Sequence, residues 1–210
     1  LPTICGMRRR GYSPEAIYNF CEQIGVAKAY SVVDYGFLEY CVREDLNKKA
    51  TRVMCVLRPI KLIIDNYPEG QVEYFTADKN PEDENSGTYE VPFSRELYIE
   101  RDDFMEEPIK GYNRMSIGKE VRLKYAYYVT TTHIIKDENG EITEIHATYD
   151  PESRGGGAPD GRKVRGTIHW VSVPTATSIK ANIYGSLLKT ENTEDAEEGT
   201  SFLDNLSENS

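Results

Sequence analysis

At 210 residues with 39% hydrophobic and 29% charged side chains, the chain has the make-up of a soluble globular protein with room for one large domain or two small ones. No apolar run approaches the roughly 20 residues of a membrane-spanning helix, which excludes that class, and no signal peptide or lipidation motif is present. The net charge of −10 would by itself argue against a nucleic-acid partner.

The chain opens at Leu1 on what reads as mid-domain sequence, as expected of an excised fragment. Its first fifty residues read as helical. Ser13-Pro14-Glu15 is a helix start: an N-cap hydroxyl, proline at the first helical position and an acid in the first turn. Ile17, Phe20, Cys21 and Ile24 then fall on one face, and Gly25 stands where a C-terminal cap belongs. A second helix is predicted from Ser31 to about Leu46, with Leu38, Cys41, Val42 and Leu46 near one stripe. Arg8, Arg9 and Arg10 precede the first helix and read as a solvated loop or a contact to another domain. Lys48, Lys49 and Arg52 sit at a helix C-terminus, where cations are favoured anyway.

Beyond Arg52 the pattern becomes β-rich. Val53–Leu57 and Lys61–Tyr67 are apolar runs of strand length, the second closed by Pro68-Glu69-Gly70. From Val121 to Val129 apolar and polar residues alternate as in one strand. Asn139-Gly140 between two β-prone runs is a hairpin signal. A glycine-rich loop follows from Arg154 to Gly161, and a strand carrying Trp170 runs from Thr167 to Val173. The segment from Glu191 is acidic and is expected to be loosely ordered. The predicted fold class is α+β: a small N-terminal helical subdomain (1–50), a mainly antiparallel β-barrel (51–188) and the acidic start of a truncated second barrel (189–210).

Charge is unevenly spread. Residues 82–107 hold ten acids against two arginines, and residues 110–124 hold five bases (Lys110, Arg114, Lys119, Arg122, Lys124) against Glu120. On a strand, Arg122 and Lys124 would project from one face, roughly 6.5–7 Å apart. Tyr112 and Asn113 stand beside Arg114. Cations interleaved with aromatic and amide groups suit unstacked bases, since arginine forks to base edges, tyrosine stacks and lysine meets phosphate. An ordinary solvated strand face has the same composition. Lys163 and Arg165 belong to a basic turn, Asp160–Gly166, that reads equally as an exposed hairpin end.

No catalytic constellation is visible. Gly155-Gly156-Gly157 lacks the Gly-Lys-Ser/Thr of a phosphate-binding loop and opens no helix. Cys5, Cys21, Cys41 and Cys55 form no C-x-x-C pair and read as free thiols. His133, His146 and His169 lack zinc-ligand spacing, so no metal site is expected.

Several ordered words carry a resemblance. Pro2–Tyr12 (PTICGMRRRGY) is similar to the PTI-GLRRRGY stretch of glutaminyl-tRNA synthetases, and Arg43–Tyr67 to the beginning of their first anticodon-binding β-barrel. Val91–Ser94, Gly118–Leu123 and Asp160–Ser172 continue it in order, to about Leu188. The resemblance implies a class I aminoacyl-tRNA synthetase fragment whose barrel resembles a ribosomal 5S-RNA-binding protein. It implies that Arg52, with Asn47 nearby, reads the middle anticodon base, Arg114 the third, and Arg122 with Lys124 the first. Lys28 and Lys110 would meet the tRNA backbone. It implies tRNA(Gln) as partner, a cytoplasmic monomer, and ATP with magnesium and glutamine bound only by a catalytic domain outside this chain. The fragment alone is then expected to be inactive. Two departures stand out: Lys124 replaces an arginine, so the bidentate fork is lost, and Glu82 falls near a position where an amide is usual. A eukaryotic-type glutamyl-tRNA synthetase, a ribosomal-RNA-binding barrel and a protein-interaction barrel are the competing readings.

Overall fold

The computed structural model describes residues 3–29, 31–185, 189 and 205–207. The expected acidic tail falls almost wholly outside them. Contacts divide the chain into two compact units, one formed by residues up to Ala50 together with those from Lys180 onward, the other by Thr51–Ile179.

In the first unit the helices are α1 (Ile4–Arg9), α2 (Pro14–Ile24) and α3 (Tyr35–Lys49). Helix α2 forms as the sequence dictates: Ser13 Oγ accepts from Ala16 N–H, and Gly25 closes the helix at φ 64°. Two expectations need correction. Helix α3 starts at Tyr35 rather than near Ser31, because the Asp34 carboxylate, not the Ser31 hydroxyl, takes up a free N–H of the first turn, that of Gly36. Arg8 and Arg9 form the last turn of α1, so they do sit at a favourable helix end. A run of side chains joins the helices: Lys49 bridges to Asp45 at 2.6 Å, and Asp45 accepts from Ser13 Oγ at 2.6 Å. Tyr12 and Tyr35 share a hydroxyl hydrogen bond of 2.7 Å, and burial raises the Tyr12 hydroxyl to about 12.

The second unit holds nine strands: β1 (Pro59–Ile64), β2 (Glu73–Asp78), β3 (Thr88–Phe93), β4 (Glu96–Glu100), β5 (Glu120–Leu123), β6 (Tyr128–Lys136), β7 (Ile142–Asp150), β8 (Thr167–Ile168) and β9 (Val171–Ser172). Seven make one sheet in the order β8-β5-β6-β7-β1-β4-β9, and β2 pairs with β3. The sheet is mixed but mainly antiparallel, as expected: β1 runs parallel to β7 and β5 parallel to β8, while its other four pairings are antiparallel. Its two edge strands, β8 and β9, are separated only by His169-Trp170. Three peptide steps span at most about 11 Å, so the sheet must curl until its edges nearly meet.

Trp170 is thereby drawn inside with no exposed surface. It packs edge-on to Phe93, and Tyr67, Phe75, Tyr127 and Tyr149 complete an aromatic core with ring centroids 4.8–5.8 Å apart. The Tyr67 and Tyr127 hydroxyls both donate to Glu73 Oε1 at 2.8 Å, and their burial beside that carboxylate holds both phenols well above their usual range.

Three strand predictions fail. Thr167–Val173 is not one strand but the two short edge strands β8 and β9, broken at His169-Trp170 where the indole turns into the core. Val53–Leu57 is irregular: Leu57 and Arg58 N–H groups donate to the Glu100 carboxylate rather than to a ladder. Val121–Val129 is not one strand but the β5–β6 hairpin, turning at Lys124–Tyr127. The Asn139-Gly140 hairpin forms as expected between β6 and β7, with Asp137 Oδ1 accepting from both Asn139 and Glu141 N–H.

The loop after β7 is fastened by Arg162, whose guanidinium donates to Glu120, Asp150 and Asp160 and lies over the Tyr128 ring at 5.2 Å. The Arg162 side chain holds the Asp150 carboxyl below its usual range, and the Arg162 backbone and side-chain N–H groups do the same to Asp160. Depressed carboxyl values mean that this stabilisation is complete above the ordinary carboxylate range and is lost as pH falls through the lowered values. Urea midpoints should therefore drop more steeply on acidification in the parent than in Arg162→Gln. Equal slopes would show that the clamp adds nothing.

Candidate nucleic-acid interface

Arg114 lies on the long connection between β4 and β5. Its neighbour Met115 is fully buried and fixes the loop: Met115 N–H donates to Asp103 carbonyl oxygen, and Met105 N–H to that of Met115. The Arg114 guanidinium donates to Asp103 Oδ1 while about half its side chain stays in solvent. Asp103 is only 4% exposed, and its Oδ2 has no hydrogen-bond partner. Burial raises the Asp103 carboxyl, opposed chiefly by the nearby Arg114 charge. The pair orients Arg114 without covering it. A guanidinium has five N–H donors, so one bond to Asp103 leaves most of the fork for a ligand. Lys119 is consumed within the loop, donating to Tyr112 carbonyl oxygen, whereas Lys110 is exposed with no ion-pair partner among the described residues.

Arg122 is the outward residue between the buried Val121 and Leu123 of β5. Its N–H donates to Gly166 carbonyl oxygen at 3.0 Å, and its Nε to Thr167 Oγ1 at 3.2 Å. Its alkyl stem runs under Gly156, where a methyl group would come within 2.7 Å of Arg122 Cδ. The glycine run that lacks phosphate-loop spacing thus has a packing role beside Arg122. It also follows a short 3-10 turn instead of opening a helix. Gly166 also touches the Arg114 loop, because any side chain there would run into the Asn113 carbonyl. Gly166 therefore brings Arg114 and Arg122 into one neighbourhood.

Lys124 heads the β5–β6 turn. Its N–H donates to Ile168 carbonyl oxygen, and its own carbonyl accepts from the buried Trp170 indole at 3.0 Å. The next residue, Tyr125, is the only non-glycine at positive φ (68°) among the described residues, a conformation that costs energy and is characteristic of functional turns. The Lys124 ammonium lies 5.1 Å from the Tyr125 ring centre. Glu120, the one acid in this segment, is occupied by Arg162, so it does not neutralise Arg122 or Lys124.

Arg52 is anchored elsewhere in the unit. Its N–H donates to Lys79 carbonyl oxygen and its guanidinium to Glu82 Oε1 at 3.1 Å. Glu82, which sequence alone set against phosphate, is thus a partner of Arg52. Asn47 lies in α3 and Lys28 in the exposed segment after α2, both in the first unit. The sequence reading missed Asp103, Gly156 and Gly166. Asp103 is indistinguishable from Asp102 within an acidic run, and neither glycine carries a motif that marks it.

Residues 50–150 match the family described as tRNA synthetases class I (E and Q), anti-codon binding domain. The chain belongs to this family. Over all 210 residues it is 51% identical to a glutamine–tRNA ligase of Clostridium kluyveri and 52% identical to that of Clostridium perfringens, covering 38% of each. It is 54% identical over 187 residues to the Bradyrhizobium diazoefficiens glutamine–tRNA ligase, with 89% of this chain and 34% of the relative covered. The chain thus spans a little over a third of the length of these relatives. No described helix is long and apolar enough to cross a membrane.

Proposed function

We propose that this chain is the anticodon-reading part of a cytoplasmic, monomeric glutamine–tRNA ligase whose partner is tRNA(Gln). The observation that carries the reading is the meeting of Arg114 and Arg122 around Gly166, each with an accessible side chain and with Lys124 two residues on. Residues 51–188 act as the reading barrel, of the kind found in a ribosomal 5S-RNA-binding protein. Residues 1–50 form a helical subdomain that is the C-terminal end of the catalytic half, and 189–210 begin a truncated second barrel.

In this mechanism the anticodon bases unstack onto the barrel. Arg114, held in place by Asp103, reads one base edge through its remaining donors. Arg122 is steadied by Thr167 and Gly156 and reads a second base together with Lys124. As a compact ammonium, Lys124 meets phosphate or a single acceptor rather than making a fork. Arg52 reads a third base, and Asn47 is a further residue of the anticodon-binding set. The Glu82 carboxylate must then release the Arg52 side chain or share it, an exchange that suits an exposed pair of small intrinsic strength. Lys110 and Lys28 contribute charge to the tRNA backbone. ATP, magnesium and glutamine are handled by residues outside this chain, and no step of the ligation runs through the residues described.

The test is aminoacylation by the full-length protein with glutamine and glutamate in parallel. Glutamine should be charged in large excess. Preferential charging of glutamate would move the chain to the glutamyl branch of the same family, and no tRNA charging at all would refute the proposal.

A further inference from the structure

The three histidines are far apart in sequence, yet two of them face each other on the outer side of the curled sheet. His146 is the outward residue between buried Ile145 and Ala147 on β7. Its register partner on β6 is His133, and the two rings stack at 4.3 Å with 14° between their planes. Plain alternation after the buried Thr131 would turn His133 inward. A β-bulge between Thr131 and His133 inserts Thr132 and returns the imidazole to the outer face. On the other side of β7, Ile63 of β1 is level with His146, and Asp65 follows two residues on, its N–H donated to Ala147 carbonyl oxygen. The Asp65 carboxylate reaches His146 Nδ1 at 2.8 Å.

We propose that Asp65, His133 and His146 form a binding site for one divalent transition-metal ion of the zinc or copper class. Each comes from one of three neighbouring segments of the sheet, and one potential ligand atom of each lies within 4.8 Å of the other two. Two neutral imidazoles and one carboxylate suit such ions. Magnesium and calcium prefer all-oxygen shells.

The contacts on the two sides of the His146 ring support entry of an ion. His146 Nδ1 and Asp65 Oδ1 stand 2.8 Å apart, within one hydrogen bond. On the far side of the ring, Nε2 is buried without a hydrogen-bond partner, and Glu144 Oε2 lies 3.6 Å away. An ion held at Nδ1 would leave Nε2 as the ring nitrogen that faces Glu144. Glu144 then orients the ligand from behind, as outer-shell carboxylates do for metal-bound histidines. Metal–ligand bonds of about 2.0–2.2 Å draw the three donors closer than they now stand. His133 is exposed, so its ring can turn out of the stack to meet the ion. A cavity of about 620 Å³ borders Asp65 and His146 and leaves room for water in the open coordination positions.

The inference is independent of the tRNA reading. The experiment is calorimetric titration of the intact chain with Zn²⁺ after alkylation of its accessible thiols, because Cys5, Cys21 and Cys55 are exposed and bind the same metals. Co²⁺ spectra would run alongside to exclude thiolate charge-transfer bands. One equivalent should bind without such bands. Affinity should fall at least ~10-fold in His133→Asn and in Asp65→Asn, and it should be unchanged in His169→Asn. Because His133 is exposed, its replacement leaves the core intact. Absence of binding, or equal affinity in His133→Asn and the parent, would overturn the site.

Discussion

Replacing Arg114 by alanine in the full-length ligase is expected to erase discrimination at one anticodon position, with a loss of roughly 5- to 150-fold in selectivity, the equivalent of about 1–3 kcal/mol. The readout is kcat/KM for tRNA(Gln) and for a transcript altered at that nucleotide, compared between parent and variant. Charging of the altered transcript should suffer in the parent and be nearly level with the normal one in the variant. Arg114→Lys should not restore selectivity, because an ammonium lacks the planar fork. Asp103→Asn keeps the shape of the buried partner but removes its charge, so Arg114 remains with a looser orientation. It should give a smaller loss at the same position and no loss at the other two. If the altered transcript is rejected equally by parent and Arg114→Ala, Arg114 is not a reader.

Gly166→Ala is expected to have the largest effect on stability. Gly166 sits at φ 94°, and a methyl group there meets the Asn113 carbonyl carbon at 3.0 Å and its oxygen closer still. The obstacle is backbone, on a loop pinned by the buried Met115 and by Asp103, so it cannot yield as a flexible side chain would. Gly140 separates the two costs: it has φ 82°, but nothing lies within 4 Å of the added methyl. Gly140→Ala should cost about 1–2 kcal/mol, the ordinary cost of a left-handed alanine. Gly166→Ala should exceed that by ~2 kcal/mol or more, as overpacking against fixed neighbours does. Urea unfolding followed by fluorescence of the single, fully buried Trp170 measures both. Equal destabilisation would mean that the two loops do not press on each other.

Where local chemistry decides the backbone, the sequence could be read directly. Ser13-Pro14 and Gly25 bound a helix because hydroxyl, fixed proline φ and glycine each act within a turn, and Asn139-Gly140 reverses the chain for the same reason. The basic segment 110–124 was also legible, and its arginines do converge. What could not be read depends on distant partners. Lys124-Tyr125-Ala126 carries no turn residues. The chain reverses there because Leu123 N–H finds Tyr127 carbonyl oxygen and the Trp170 indole captures the Lys124 carbonyl from 46 residues away. Val53–Leu57 looks like a strand, but the Glu100 carboxylate takes its terminal N–H. The parallel pairing of β1 with β7 joins segments about 80 residues apart, and periodicity carries no trace of it. Asp103, a surface acid by composition, becomes the buried anchor of Arg114 only in the fold that brings Met115 N–H to its carbonyl oxygen.

The edges of the seven-stranded sheet are held by only two register pairs on each side, Arg122–Thr167 and Leu123–Ile168 at one rim, Leu97–Ser172 and Tyr98–Val171 at the other. Pairings this short are where the sheet would part first under heat or denaturant. Parting on the β5 side admits water to the indole, strips the Lys124 carbonyl of its donor and frees Arg122 Nε from Thr167 Oγ1. The surface proposed to read RNA is therefore built on one of the two shortest pairings of the sheet, and a bound nucleic acid that spans it would act as a brace across the gap.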